Sequence, residues 1–325
     1  MKRLIAVIIA AALILGAVAI RRTLTSDEPS ADEPSAHSAR VTRLLCAAEL
    51  SKICSAISGP LEAEVTVEAP GQTVRRLAVG NALDADVWLT THPWTEITST
   101  TRPDAGSTTP IQRYSRLAVG GIAERVAALT SSCGSSLTWK CIASASGKAW
   151  GTAGLGGQPT WGTFELGVRR QDSTAGLLVA CALANEWFGG PNYSAADLDD
   201  TDEFRTALAR LGAESGHSDD PATQMISQPG SFSAVADLNL ETTIADAAQR
   251  DRYSTVDDVA TMSVQLAAYT PSESELTEAS RSQLVQLATQ AATDQGWRTG
   301  APVALGTPRG AILERLATLW NEVAA

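Results

Sequence analysis

Two arginines stand directly before a run of small polar residues in the stretch Phe164 to Ala184, FELGVRRQDSTAGLLVACALA. Arg169 and Arg170 are followed by Gln171, Asp172, Ser173, Thr174 and Gly176, the residue types that cap a helix and leave its first backbone N–H groups free. A helix N-terminus carries a partial positive charge, so a seat for an anion or carboxylate is the chemistry these types at this spacing could perform. Ser173 and Thr174 would offer hydroxyls and Gly176 a backbone donor. Arg170 would counter a negative group on the ligand. The plain alternative is that Asp172 or Ser173 caps a surface helix that binds nothing.

The elements that must position these residues are legible on both sides. Phe164 to Val168 is short, apolar and β-compatible, and from Thr174 the apolar residues run without a breaker, so a strand passes through a polar turn into a helix. Earlier in the chain VTRLLCAAEL reads as a strand with a small-residue turn and SKICSAIS as a helix. EAEVTVEAP is a second strand ended by Pro70-Gly71, TVRRLAVGNAL a second helix, and ADVWLTT a third strand ending at His92-Pro93-Trp94. Strands alternating with helices at this spacing predict parallel pairing in a doubly wound α/β sheet, where ligands sit beyond the carboxyl ends of the strands. Those ends supply Glu49 after the first strand and Thr90, Thr91, His92 and Trp94 after the third. Trp94 would be an apolar wall and the threonines and His92 further donors. Against these roles, Glu49 could cap the first helix, Trp94 could plug the sheet edge, and Arg170 could pair with surface acids.

Further along, TEITSTTRPDAGSTTPIQRYS is polar and predicts a loop, followed by a strand over Arg116 to Ile122 and a helix over Ala123 to Leu129. The glycines of GKAWGTAGLGGQPTWG match neither a GxxxxGK[ST] nor a strand-anchored GxGxxG nucleotide loop. Residues Asn192 to Asp220 carry clustered acids around a helix, Glu203 to Leu211, and read as a solvated face because a calcium loop's ligand spacing is missing. FSAVADLNLE is a late strand with Glu241, Thr242 and Thr243 at its polar end. SVQLAAY is a returning strand, and helices over Glu275 to Trp297 and Arg309 to Val323 close the chain.

Composition removes whole classes of function. A formal net charge of -11, with lysine only at positions 2, 52, 140 and 148, argues against nucleic-acid binding, which needs a basic stripe. No GxSxG elbow or SxxK pair is present, no cysteine or serine can be matched to His92, and no acid pair is selected, so an enzyme is not expected. Neither a cofactor nor a metal is expected. At the N-terminus, Lys2 and Arg3 precede an uncharged run from Leu4 to Ile20 closed by Arg21 and Arg22. Residues 1–22 therefore read as a single-pass transmembrane anchor, with a signal peptide cleaved near Ala17-Val18-Ala19 as the open alternative. Both place the rest of the chain outside the cytoplasm. Residues 23–40, with their repeated DEPSA, read as a disordered linker. Seven residues separate Cys46 from Cys54, and likewise Cys133 from Cys141, which predicts two local disulfides in an oxidising compartment; zinc is the competing reading, with no CxxC to support it. Cys181 reads as a buried free thiol.

The segments LLCAAELSKICSAI, VTVEAPGQTVRRLA with ADVWLTTHPW, SRLAVGGIAERVAAL, WKCI and FELGVRRQDSTAGLLVACAL occur in this order. In that order the chain resembles the type II periplasmic, or extracellular solute-binding, proteins of bacterial transport systems, over roughly residues 41 to 320. The resemblance implies a two-lobed α/β fold with parallel or mixed sheets flanked by helices. Residues 41–115 and 263–325 would form lobe 1 and residues 116–262 lobe 2, joined by crossing strands, with one small polar or anionic ligand between them. The ligand-binding set would be Glu49, Thr90, Thr91, His92, Trp94, Arg170, Ser173, Thr174, Gly176 and Glu241. A membrane transporter or an envelope protein would be the partner at the membrane. The alternative function is an anchored interaction module that keeps the fold and recruits a protein or cell-envelope partner.

Overall fold

The computed structural model describes residues 41–134, 136–151, 153–256, 259, 262–300 and 306–323. The expected anchor, residues 1–22, and linker, residues 23–40, lie outside them. Among the described residues no helix is long and apolar enough to cross a membrane.

Strand β1 (Arg43–Ala47) is buried from Leu44 onward because it is flanked on both sides, by β2 (Glu64–Glu68) and β3 (Val87–Thr91), both parallel to it. Parallel neighbours need crossover connections, and α1 (Ser51–Leu61) and α2 (Pro70–Ala78) supply them. Pro70, expected to end the second strand, instead opens α2, where its missing N–H costs nothing.

The polar segment after Trp94 is not a loop. It folds into α3 (His92–Thr101) and the first half of β4 (Gly106–Ile122), a strand of 17 residues. The threonines that hide any helical periodicity bond back into the helix, Thr98 Oγ1 to the Trp94 carbonyl at 2.9 Å and Thr100 Oγ1 to that of Glu96 at 2.9 Å. The strand half has its register fixed by an antiparallel partner far along the chain, β9 (Ser263–Pro271), with an irregularity between Ile111 and Tyr114. Such pairing outweighs weak local propensity.

The second half of β4 changes neighbours. Leu117 to Gly120 pair with β7 (Ala234–Leu238) and Val119 to Ile122 with β8 (Tyr253–Val256), both antiparallel. Beyond β7, in parallel, lie β5 (Leu166–Val168) and β6 (Ser215–His217). The nine-stranded order is β2-β1-β3-β9-β4-β7-β5-β6, with β8 on β4. This is a mixed α/β fold in which β4 belongs to both ends of the sheet.

Helices α4 (Ala123–Ser132), α5 (Trp139–Ala145), α6 (Thr174–Phe188), α7 (Ala195–Asp200), α8 (Asp202–Ala213), α9 (Pro221–Ser227), α10 (Leu240–Ala245), α11 (Glu278–Asp294) and α12 (Gly310–Val323) cover it. Every residue of α6 from Thr174 to Ala184 is buried, so it has no polar stripe and acts as a core element. The closing helix α12 does not rest on the first part of the chain alone. It packs on α3 and also on α6, α7 and α8, and Arg315 reaches Asp199 at 2.6 Å. Cys46–Cys54 links β1 to α1, and Cys133–Cys141 links the end of α4 to α5. Cys181 is free and buried in α6, where burial pushes its thiol pKa up.

Candidate functional site

A cavity of about 900 Å3 lies where the carboxyl ends of β1, β2, β5 and β7 converge. Glu49 enters it after β1, Glu68 from β2, Arg169 and Arg170 after β5, and Asp237 to Asn239 from β7. The position is the one that open α/β sheets use for ligands.

The N-terminus of α6 lies at one wall. Ser173 caps it, accepting from the Gly176 N–H at 3.0 Å and donating its hydroxyl to the Arg170 carbonyl at 2.7 Å. The Thr174 N–H donates to Glu49 Oε1 at 2.7 Å. The anion seat expected here is therefore taken by the protein's own Glu49, which ties the end of β1 to the start of α6. Gly176 is required by close approach, because a Cβ there would stand 2.2 Å from the Arg170 carbonyl oxygen.

The two arginines separate in role. Arg169 bonds to Asp237 at 2.7 Å and to the Asp219 carbonyl. Burial opposes its charge, yet Asp237 and the further acids Glu49 and Asp220 outweigh that, so the Arg169 pKa is raised and the group stays charged. Arg170 stays exposed at the cavity rim. Opposite them α2 approaches: the Gly71 N–H donates to the Asp172 carbonyl at 2.8 Å, and Gln72 Nε2 and Arg75 Nη2 reach Asp172 Oδ2 at 3.3 and 3.2 Å. A Cβ on Gly71 would meet that of Asp172 at 2.7 Å, so the absence of a side chain lets the two segments touch.

Of the residues expected to bind a ligand, the structure brings Glu49, Arg170 and Ser173 to the cavity. Thr90, Thr91, Trp94, Thr174 and Gly176 are buried outside its lining. The end of β3 is covered by α6, with Thr91 Oγ1 2.8 Å from Thr174 Oγ1 and Trp94 Nε1 donating to the same hydroxyl at 3.1 Å. These side chains serve each other, which is why the third strand offers no open end. His92 is half-buried, outside the lining, and its Nδ1 has no hydrogen-bond partner among the described residues. Burial lowers its pKa, with Glu96 acting in the opposite sense. Glu241 also stands outside the cavity lining, paired with Arg116 and Arg298. Reading the first and third strand ends missed Gln72, Asp237, Asn239 and Trp297, all lining residues. The same rule applied to the end of FSAVADLNLE would have found Asp237 and Asn239; Trp297, which follows the end of α11, carries no such signal.

No protein-family model matches the chain, and no curated protein matches its sequence. Among solved structures, a periplasmic thiamin binding protein superposes with a TM-score of 0.59 at 13% identity, over 91% of this chain and 100% of its own. The sulfate-binding protein SubI from Mycobacterium tuberculosis H37Rv gives a TM-score of 0.46 at 13% identity, over 87% and 91% of the two chains. The ferric iron-binding protein A of Mannheimia haemolytica gives 0.44 at 10%, over 88% and 96%. The fold comparison rests on the first of these. With its strand order, shared β4 and cavity at the strand ends, the chain has the fold of the periplasmic solute-binding proteins.

Proposed function

We propose that this chain is an extracytoplasmic solute-binding protein that holds one small polar ligand in the cavity at the ends of β1, β2, β5 and β7. In this reading residues 41–115 and 263–325 form one lobe and residues 116–262 the other, β4 and the β8–β9 return cross between them, and α2 closes on the Asp172 turn. The N-terminal segment holds the protein at the outer membrane face, or is removed to release it, and a membrane transporter receives the ligand.

The observation that carries the reading is the cavity itself: about 900 Å3, bounded by separate elements and furnished with polar side chains such as Gln72, Asn239 and Thr242 beside the apolar Ile53, Val67 and Trp297. A concave site with a few placed polar groups among apolar walls is the form small-molecule sites take. It also favours a solute over the alternative of a protein-recruiting module, for which a filled cleft would serve as well.

A thermal-shift screen of the full chain against thiamin, amino acids, sugars, oxyanions, polyamines and short peptides tests the proposal. A ligand that binds only the folded state adds about 2.7 kcal/mol at a hundredfold excess over its dissociation constant, a rise of several degrees in Tm. At least one compound is expected to give it. A folded protein with an unchanged Tm across the panel would contradict solute binding and favour the recruiting module.

A further inference from the structure

Two carboxylates in the cavity share an arrangement that the helix-terminus chemistry does not account for. Glu49 Oε1 is held by the Thr174 N–H, and Asp172 Oδ2 is held by Gln72 and Arg75. In each case the second oxygen, Glu49 Oε2 and Asp172 Oδ1, is buried and has no hydrogen-bond partner among the described residues. Asp172 as a whole is 7% exposed. An ionised carboxylate accepts only, and a buried charged acceptor left unmatched is destabilising, so these two oxygens call for donors.

The surroundings agree in sign. Eight carboxylate residues line the cavity against three basic ones, Lys52, Arg169 and Arg170; ion pairs engage Glu68 with Arg76, Asp172 with Arg75, and both Asp237 and Asp220 with Arg169, which leaves Glu49, Asp219, Asp246 and Asp294 as further negative charge around the space. Arg169, the base nearest the interior, is committed to Asp237 and the Asp219 carbonyl. Lys52 and Arg170 are exposed. The wall also includes Ile53, Val67 and Trp297, which suit the apolar part of an organic molecule. A volume of about 900 Å3 is on the scale of a small organic ligand rather than a bare metal ion.

We infer that the ligand is an organic cation with N–H donors, an ammonium or amidinium compound, read by the carboxylates of Glu49 and Asp172. The inference rests on the solute-binding reading and gives that site its ligand class. It reverses the charge suggested by the arginines, because one arginine is neutralised internally and the helix N-terminus already holds Glu49.

Calorimetric titration of the full chain tests it with four sets of probes: primary amines and guanidines (putrescine, spermidine, arginine, agmatine), oxyanions (sulfate, phosphate, citrate), neutral sugars (glucose, maltose) and calcium. Binding confined to the amine and guanidine set is expected. Glu49→Gln keeps the acceptor for Thr174 but loses the charge, and Asp172→Asn keeps the shape of its side chain; each should weaken that binding at least tenfold while the Tm of the unliganded protein moves little. If Glu49→Gln fails to fold, Asp172→Asn alone decides. Binding of an oxyanion, sugar or calcium in place of amines, or amine binding indifferent to both substitutions, overturns the inference and leaves solute binding standing. Binding of no probe, in this set or in the wider thermal-shift panel, overturns both.

Discussion

At the scale of single residues the site is governed by which polar groups the protein satisfies internally. Thr174 illustrates this: its N–H goes to Glu49, and its hydroxyl joins Thr91 and Trp94, so a residue suited by type to ligand binding is fully employed in the core. Types and spacing narrowed the cap to Asp172 or Ser173 and marked the turn before it, because capping is a local matter; the structure shows it is Ser173. They could not show that a carboxylate 125 positions away would fill the N-terminus. His92 offers a test at this scale. Burial lowers its folded-state pKa below the ordinary 6.5. Between the lowered and ordinary values the unfolded chain binds more protons than the folded one, so stability rises with pH there, is fully present above about 6.5 and is lost as pH falls below it. Urea unfolding at pH 7.5 and 5.5 should show a larger loss on acidification for the natural chain than for His92→Gln. Equal losses would remove His92 from the account.

At the scale of elements, the first βαβαβ unit was legible because its strands are apolar and its helices are punctuated by proline and glycine. The α3–β4 segment was not, because its structure comes from β9, which enters more than 140 residues later and fixes the register of a threonine-rich strand. The long strand runs from one group of strands into the other. Cysteine spacing was read correctly as two local loops. In the chain-entropy description each loop contributes about 2.5 kcal/mol by restricting the unfolded chain. The double replacement Cys46→Ser with Cys54→Ser should lower unfolding free energy by at least that amount, because both sulfurs are fully buried. Cys133 and Cys141 are half-buried, so mild reductant should open their bond first, as followed by mass spectrometry of alkylated peptides. Simultaneous opening would contradict the burial difference.

For the whole molecule, the described residues between 41 and 323 gather four strand ends around one cavity, the place proposed to hold a solute. The ordering of short apolar and polar segments conveyed a mixed α/β fold through its resemblance to solute-binding proteins; the antiparallel pairings of β9 and β4 come from long-range contacts that no local rule predicts. The sign inferred for the ligand's charge did not emerge from that ordering. It depends on Arg169 being neutralised by Asp237 and on acids brought together from β1, β2, β6–α9, β7, α10 and α11, a convergence that only the fold produces. The most direct measurement is a titration of the full chain, and of Ala48→Trp, with the ligand that gives the largest thermal shift. Ala48 is exposed and lines the cavity, so an indole there occupies the site without disturbing the core. The account predicts one ligand per chain for the natural protein and loss of binding in Ala48→Trp at unchanged Tm. Undiminished binding in a folded Ala48→Trp would place the ligand elsewhere and contradict it.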